Sequence, residues 1–297
     1  MKFSMKNIML FAAALLLSVP AWGQSFVAPV ILPDLPVKID FAGEKVPLNN
    51  FDTYESLQRE MLVTSYMHSR TMLTLLNSKR YFAIIEPILT KNGIPSDFKY
   101  LCMAESGLNP GAVSTAKAAG LWQIMPATGK SFGLYIDSEV DERYDIEKAT
   151  EVACQHLLKS YRQFGSWTLA AAAYNLGDAG VSRRLERQGV GNNYYDMFLP
   201  EETMRYLFRI LSFKILCDHP QSYGYMIKEG DYYKPLTDYT IISVSSKDID
   251  WSKFAAEHGT TYKMLRQLNH WIRDYGFVNK EGKSFQVKIP NQGFRKQ

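Results

Sequence analysis

Between Thr53 and Asp218 apolar residues recur at helical spacing and no stretch alternates with period two. That restricts the region to helices packed on helices. Leu62, Tyr66, Leu73 and Leu76 fit one face of a helix from about Thr53 to Asn77. Tyr81, Ile84, Ile85, Ile88 and Leu89 fit another, in which Pro87 either kinks the segment or marks its start. The clearest stripe is Ala149, Val152, Ala153, His156, Leu157, Ser160, Tyr161 and Phe164, with Glu151, Gln155, Lys159 and Arg162 facing away and Gly165 as the stop. Ala170 to Ala173 form a small-residue wall that lets another helix approach closely, and it delivers Tyr174 and Asn175 just before Gly177. Pro200 opens a last helix on which Thr203, Tyr206, Leu207 and Ile210 share a face.

After Tyr223 the pattern changes. Tyr239 to Val244 is rich in β-branched residues, and Trp251, Phe254, Ala255 and His258 mark a short helix ended by Gly259. A second short helix capped by Thr260 or Thr261 runs through Leu268, and Phe285 to Ile289 alternates as a closing strand. The expected fold is mainly α: a helical domain at 53–222, a linker at 223–237, and a small separate α+β module of βααβ order at 238–292.

Residues 1–23 read as an export signal, with Lys2 and Lys6 ahead of an apolar run from Ile8 to Leu17 and small residues around Trp22. The run is shorter than the about 20 apolar residues a membrane span needs, so no transmembrane segment is expected. Residues 24–52, with Pro29, Pro33, Pro36 and Pro47, read as an extended arm. The expected location is the periplasm or cell envelope, as a soluble monomer. Removing Lys2 and Lys6 takes the formal charge from +4 to +2, and the basic cluster Arg183, Arg184 and Arg187 reads as a solvated helix face, so no nucleic-acid partner is expected. Cys102, Cys154 and Cys217 sit among apolar neighbours and read as buried free thiols. No Cys, His or Asp spacing fits a metal site, and neither metal nor cofactor is expected.

One acid stands out. Phe98, Leu101, Cys102 and Glu105 occupy i, i+3, i+4 and i+7, which sets the carboxylate on an apolar face with Lys99 and Tyr100 turned away. With Ser96 as N-cap and Gly107 as stop, Glu105 falls in the last helical turn. Burial and the negative end of the helix dipole both disfavour its anion, which predicts a protonated Glu able to act as general acid. The acids Asp137, Asp141 and Asp145 read instead as a solvated loop.

Four motifs then appear in order: Glu105-Ser106, Gly120-Leu121-Trp122-Gln123 with Met125 to Gly129, Ala173 to Gly177, and Glu202-Thr203 with Tyr206. Together they resemble the motifs of the lysozyme-like lytic transglycosylases, over about Leu76 to Asp218, and Trp122 makes the chain similar to the membrane-bound lytic transglycosylase D subgroup. The resemblance implies cleavage of the β-1,4 bond between N-acetylmuramic acid and N-acetylglucosamine in peptidoglycan glycan strands, without water. In that chemistry Glu105 protonates the leaving oxygen and then deprotonates the muramic C6 hydroxyl, which closes a 1,6-anhydro ring on its own C1. Intramolecular attack makes a second carboxylate unnecessary.

By the same resemblance Ser106 and Gln123 bind substrate or orient Glu105, Tyr174 contacts the carboxyl, and Asn175 holds an N-acetyl or hydroxyl group. Trp122 and Tyr206 are rings for sugar packing or for the helix core, Leu121 belongs to the substrate-binding motif, and Gly120 allows close backbone approach. Lys117 stands where the family often has Gly; at positive φ it costs about 1 kcal/mol. Tyr239 to Pro290 resembles a LysM module, although Ser245 to Asp248 replaces the usual Gly-Asp-Thr turn. The alternatives on the same residues are a hydrolytic muramidase and a catalytically inactive peptidoglycan-binding protein.

Overall fold

The computed structural model describes residues 31–296, and the contacts below belong to the unit Pro33–Gln297. The expected signal at 1–23 lies outside the described residues. A two-residue hairpin opens the fold, β1 (Asp40–Phe41) with β2 (Glu44–Lys45). The helices follow: α1 (Phe51–Tyr66), α2 (His68–Lys91), α3 (Phe98–Ser106), α4 (Pro126–Ser131), α5 (Ile146–Phe164), α6 (Trp167–Leu176), α7 (Asp178–Gln188) and α8 (Glu201–Asp218).

α8 is the centre of the helical domain. It packs on α1, α3 and α6 and buries residues around most of its circumference, among them Tyr206, Leu207, Ile210, Leu211, Ile215 and Leu216. α5 follows its predicted stripe, capped by the Asp145 side chain on the Lys148 amide and stopped by Gly165 at φ 66°. Several expectations need correction, among them the face read for the first helix, on which Tyr66 and Leu73 are exposed. The helix expected over Thr53 to Asn77 breaks at Met67, whose ψ of 54° leaves the helical region, and Thr71 Oγ1 donates to Thr64 O at 2.6 Å across the break. α2 then runs straight through Pro87. On α3, Tyr100 does not face solvent: its ring is buried and its hydroxyl donates to Asp218 at 3.1 Å.

The arm expected to be extended is anchored from residue 40 onward. Phe41 is fully buried, with its ring 5.1 Å from Phe98, which in turn meets Trp167 at 5.3 Å. Glu44 caps α6 from outside the helix, its carboxylate accepting from the Thr168 amide at 3.0 Å, the Thr168 hydroxyl at 2.8 Å and Ser166 Oγ at 3.0 Å, with the Trp167 amide as a further donor. A carboxylate there satisfies amides that the helix cannot and sits at the positive end of its dipole. Proline spacing hides this hairpin because two-residue strands carry no periodicity.

In the C-terminal module, β3 (Tyr239–Val244) pairs antiparallel with β6 (Phe285–Pro290), and α9 (Trp251–Glu257) and α10 (Tyr262–Leu268) lie between them in sequence. Thr261 caps α10. A second pair, β4 (Asp248–Asp250) with β5 (Gly276–Val278), occupies the turn and the long loop that carried no strand signal. The module is not separate. Its core residues Trp251, Trp271, Ile272, Phe277 and Phe285 form one cluster with Ala119, Val140 and Tyr144 of the helical domain. Val140 and Ile272 form a β-bridge, the Asp141 amide donates to Trp271 O at 2.9 Å, and the Arg273 amide donates to Glu139 O at 2.8 Å.

Glu44→Ala should lower the free energy of unfolding by about 1–3 kcal/mol, since it strips the acceptor from a buried helix end. Urea unfolding at neutral pH checks this, with a lower midpoint and an unchanged slope expected.

Candidate active site

α3 ends where Gly107 takes φ 61°, a turn that a residue with a Cβ adopts only under strain. This stop puts Glu105 in the final turn, half-buried, directly across from α8. Tyr206 on α8 donates its hydroxyl to Glu105 Oε1. Burial drives the Glu105 carboxyl up from its ordinary 4.5 to about 7, against the Tyr206 hydrogen bond and the Arg209 charge, which pull it down, and with a smaller upward push from Glu202. The proton is therefore present near neutrality, and a base strong enough to take one back remains after it leaves. The same proximity, after burial, holds the Tyr206 and Tyr174 hydroxyls well above the usual tyrosine range.

The remaining predicted residues divide sharply. Tyr174 on α6 does not bond the carboxyl; its hydroxyl donates to Trp122 O at 2.8 Å. Trp122 is fully buried with its indole N–H on Thr150 Oγ1 at 2.8 Å, and Tyr206 is only 2% exposed, so neither offers a ring face to a sugar. Both belong to the helix core, and Tyr206 reaches the site with its hydroxyl alone. Leu121 is likewise buried, its carbonyl accepting from Cys102 Sγ at 3.5 Å. Ser106, half-buried, donates back to Cys102 O at 3.2 Å. Asn175 accepts from Thr203 Oγ1 at 2.8 Å, which ties α6 to α8.

Gln123 sits at φ 46° and donates to Gly120 O at 2.8 Å and Ala112 O at 3.3 Å. Lys117 is also left-handed, at φ 65°. Each non-glycine residue in that region costs about 1–2 kcal/mol, so the surrounding contacts hold this loop in a shape the chain alone disfavours. Gly120, at φ 77°, is required for a different reason: a Cβ there would lie 2.1 Å from Arg143 O.

The acids at 137–145 are not a solvated loop. Asp141 is buried in a two-pronged pair with Arg143, at 3.0 Å and 2.7 Å. Asp145 is consumed as the α5 cap, and burial raises its carboxyl pKa. Only Asp137 is exposed, accepting from the Glu139 and Val140 amides. His156 is half-buried, with its ring 5.2 Å from Tyr174, and burial lowers its pKa. Cys102 and Cys154 are buried and Cys217 is half-buried; all three are free thiols.

Sequence reading missed the charges behind Glu105. Glu60 on α1 is 1% exposed and meets Arg205 Nε at 2.6 Å and Arg209 Nε at 3.7 Å. Arg209 also approaches Glu202 at 3.7 Å. Arg205 and Arg209 one turn apart were visible, but their buried partner lies on another helix and leaves no local signal.

Residues 82–196 match the transglycosylase SLT domain, and residues 240–293 match the soluble lytic transglycosylase C-terminal LysM-like domain. The chain thus matches the first in its mainly helical domain and the second in its C-terminal module. It is homologous to membrane-bound lytic murein transglycosylase D of Escherichia coli strain K12, 27% identical over 223 residues, covering 74% of this chain and 48% of that protein. The chain therefore spans about half the length of this relative. Among solved structures it is similar to an inactive mutant of lytic transglycosylase Slt from Pseudomonas aeruginosa, at TM-score 0.37 and 21% identity over 52% of this chain and 26% of that one. The 70 kDa soluble lytic transglycosylase of Escherichia coli gives TM-score 0.38 and 22% identity over the same shares.

Since the Tyr206 hydrogen bond lowers the Glu105 pKa, Tyr206→Phe should raise it. General-acid activity requires the protonated form, so turnover should fall above about pH 7 in the wild type, and the variant's falling limb should lie at higher pH. A pH profile of kcat/KM on both proteins tests the sign. Gly120→Ala should lose solubility or at least about 3 kcal/mol of stability, because backbone rather than a movable side chain blocks the Cβ. Thermal unfolding measures that loss.

Proposed function

We propose that this chain is a peptidoglycan lytic transglycosylase that cleaves the N-acetylmuramic acid to N-acetylglucosamine β-1,4 bond and leaves 1,6-anhydro-muramic ends. The observation that carries the reading is one acid, Glu105, held partly buried at the end of α3 with its pKa raised to about 7. Asp141 is engaged by Arg143 and Asp145 caps α5. Glu202 is largely exposed, with its carboxylate 3.7 Å from Arg209. A site with one proton-active carboxyl suits a reaction whose nucleophile is part of the substrate. A retaining or inverting hydrolase would instead place a second carboxylate to activate water or attack the sugar.

In the proposed sequence Glu105 gives its proton to the glycosidic oxygen as the bond to C1 breaks. The resulting carboxylate takes the proton of the muramic C6 hydroxyl as that oxygen closes on C1, and the acid is restored. Tyr206 steadies the carboxylate between the two transfers through its hydroxyl. Gln123, Ser106 and Asn175 stand as half-buried polar groups for the sugar substituents. The relative's murein substrate supports peptidoglycan as the target. Export to the periplasm or cell envelope follows from where that polymer lies and from the signal-like sequence at 1–23. The LysM-like module supports a second glycan contact, at an open cavity of about 870 Å³ lined by Ser243, Ser245, Asp248, Phe254 and Phe277.

Digestion of purified sacculi followed by mass spectrometry should give anhydro-muramic ends. Reducing muramic ends in their place would identify a hydrolase, and no release by the wild type would indicate a binding protein. Glu105→Gln should fold normally and lose at least about a hundredfold in rate, the scale of general acid catalysis.

A further inference from the structure

Arg143 takes no part in the chemistry proposed above, yet it is 6% exposed and its guanidinium bonds both the loop before it and the neighbouring Asp141. Its Nη1 donates to Lys117 O at 2.7 Å and to Ile124 O at 3.0 Å. Those carbonyls flank the loop that carries Gln123. Its Nε and Nη2 grip the Asp141 carboxylate, which is itself buried. The backbone of the same segment is fastened to the C-terminal module: Asp141 N to Trp271 O, Val140 bridged to Ile272, and Arg273 N to Glu139 O. The Arg273 guanidinium also lies 3.8 Å over the Tyr144 ring, and Lys283 of the module pairs with Glu142 at 3.1 Å.

Two facts make this more than buried architecture. The loop that Arg143 holds contains Lys117 and Gln123 at φ 65° and 46°, conformations that relax unless outside contacts fix them. Gly120 packs against the Arg143 carbonyl so closely that no other residue fits. A planar fork with fixed N–H directions can satisfy the Asp141 carboxylate and both carbonyls together, which a single ammonium cannot.

We propose that Arg143 is a positioning residue that transmits the docking of the LysM-like module to the 112–124 loop, so that the module shapes the active site as well as any glycan contact of its own. For its catalytic consequence this rests on the transglycosylase reading of Glu105 and Gln123. Its structural part does not.

The test uses the full chain and three proteins: wild type, Arg143→Lys, and the module variant Arg273→Ala, whose side chain bonds His270 O and lies over the Tyr144 ring and makes no hydrogen bond to the loop. Amide hydrogen exchange at Ala119, Gly120 and Ile124 should quicken by about tenfold or more in both variants, while α1 and α8 amides keep their protection. On solubilised glycan chains Arg143→Lys should raise KM about tenfold, as expected for a misplaced binding loop, with the alkaline limb of the pH profile unmoved. Unchanged loop exchange in Arg143→Lys would overturn the positioning role. Loosening in Arg143→Lys but not in the module variant would overturn the link to the module. Exchange needs no turnover, so it decides this inference even where the sacculus assay shows no activity.

Discussion

The site depends on the contact between the last turn of α3 and the middle of α8, where the Tyr206 hydroxyl meets the Glu105 carboxyl. Removing a carboxylate from water is costly unless it is paired or protonated. Here one neutral hydroxyl and a more distant guanidinium compensate only part of that cost, so the pKa settles near 7 and the group stays responsive to its surroundings. A direct Arg bond would have fixed the anion and removed the acid. Instead Arg205 and Arg209 pair with the buried Glu60 on α1.

The helices that present Glu105 are therefore constrained at both ends. α8 is buried on several faces, α3 is stopped by a left-handed glycine, and α6 is capped by Glu44 reaching in from the N-terminal hairpin. Close packing transmits such constraints, because displaced side chains find no empty volume to move into. The loop from Ala112 to Ile124 has no helix of its own to provide this. It is held by carbonyl contacts to Arg143, and through Asp141 it leans on the C-terminal module.

Much of this was legible along the chain. The α5 stripe, its Gly165 stop, the Thr261 cap and the β3 and β6 strands appear where periodicity and capping chemistry put them. The break at Met67 escaped because the apolar letters Leu62, Tyr66, Leu73 and Leu76 keep helical spacing across it, although Tyr66 and Leu73 are exposed, and the hairpin at 40–45 escaped because it is too short to show a period. Of the motif residues, Trp122 and Tyr206 carry the same letters whether they line a groove or fill a core; only packing decided for the core. Tyr174 was expected on the carboxyl and instead bonds Trp122 O, since several acceptors lie within a tyrosine's reach and sequence order does not rank them.

The sequence by itself determined a helical domain followed by a small βααβ module, and an isolated acid on an apolar helix face near a stop. Those features are local, set by spacing within one or two turns and by the backbone demands of Gly and Pro. Tertiary structure alone decided which hydroxyl meets Glu105, that the acids Asp141 and Asp145 are structural, and that the module docks on the loop behind Gln123. Each of these pairs residues far apart in the chain, and a buried partner brought by folding leaves no trace in the residues beside it.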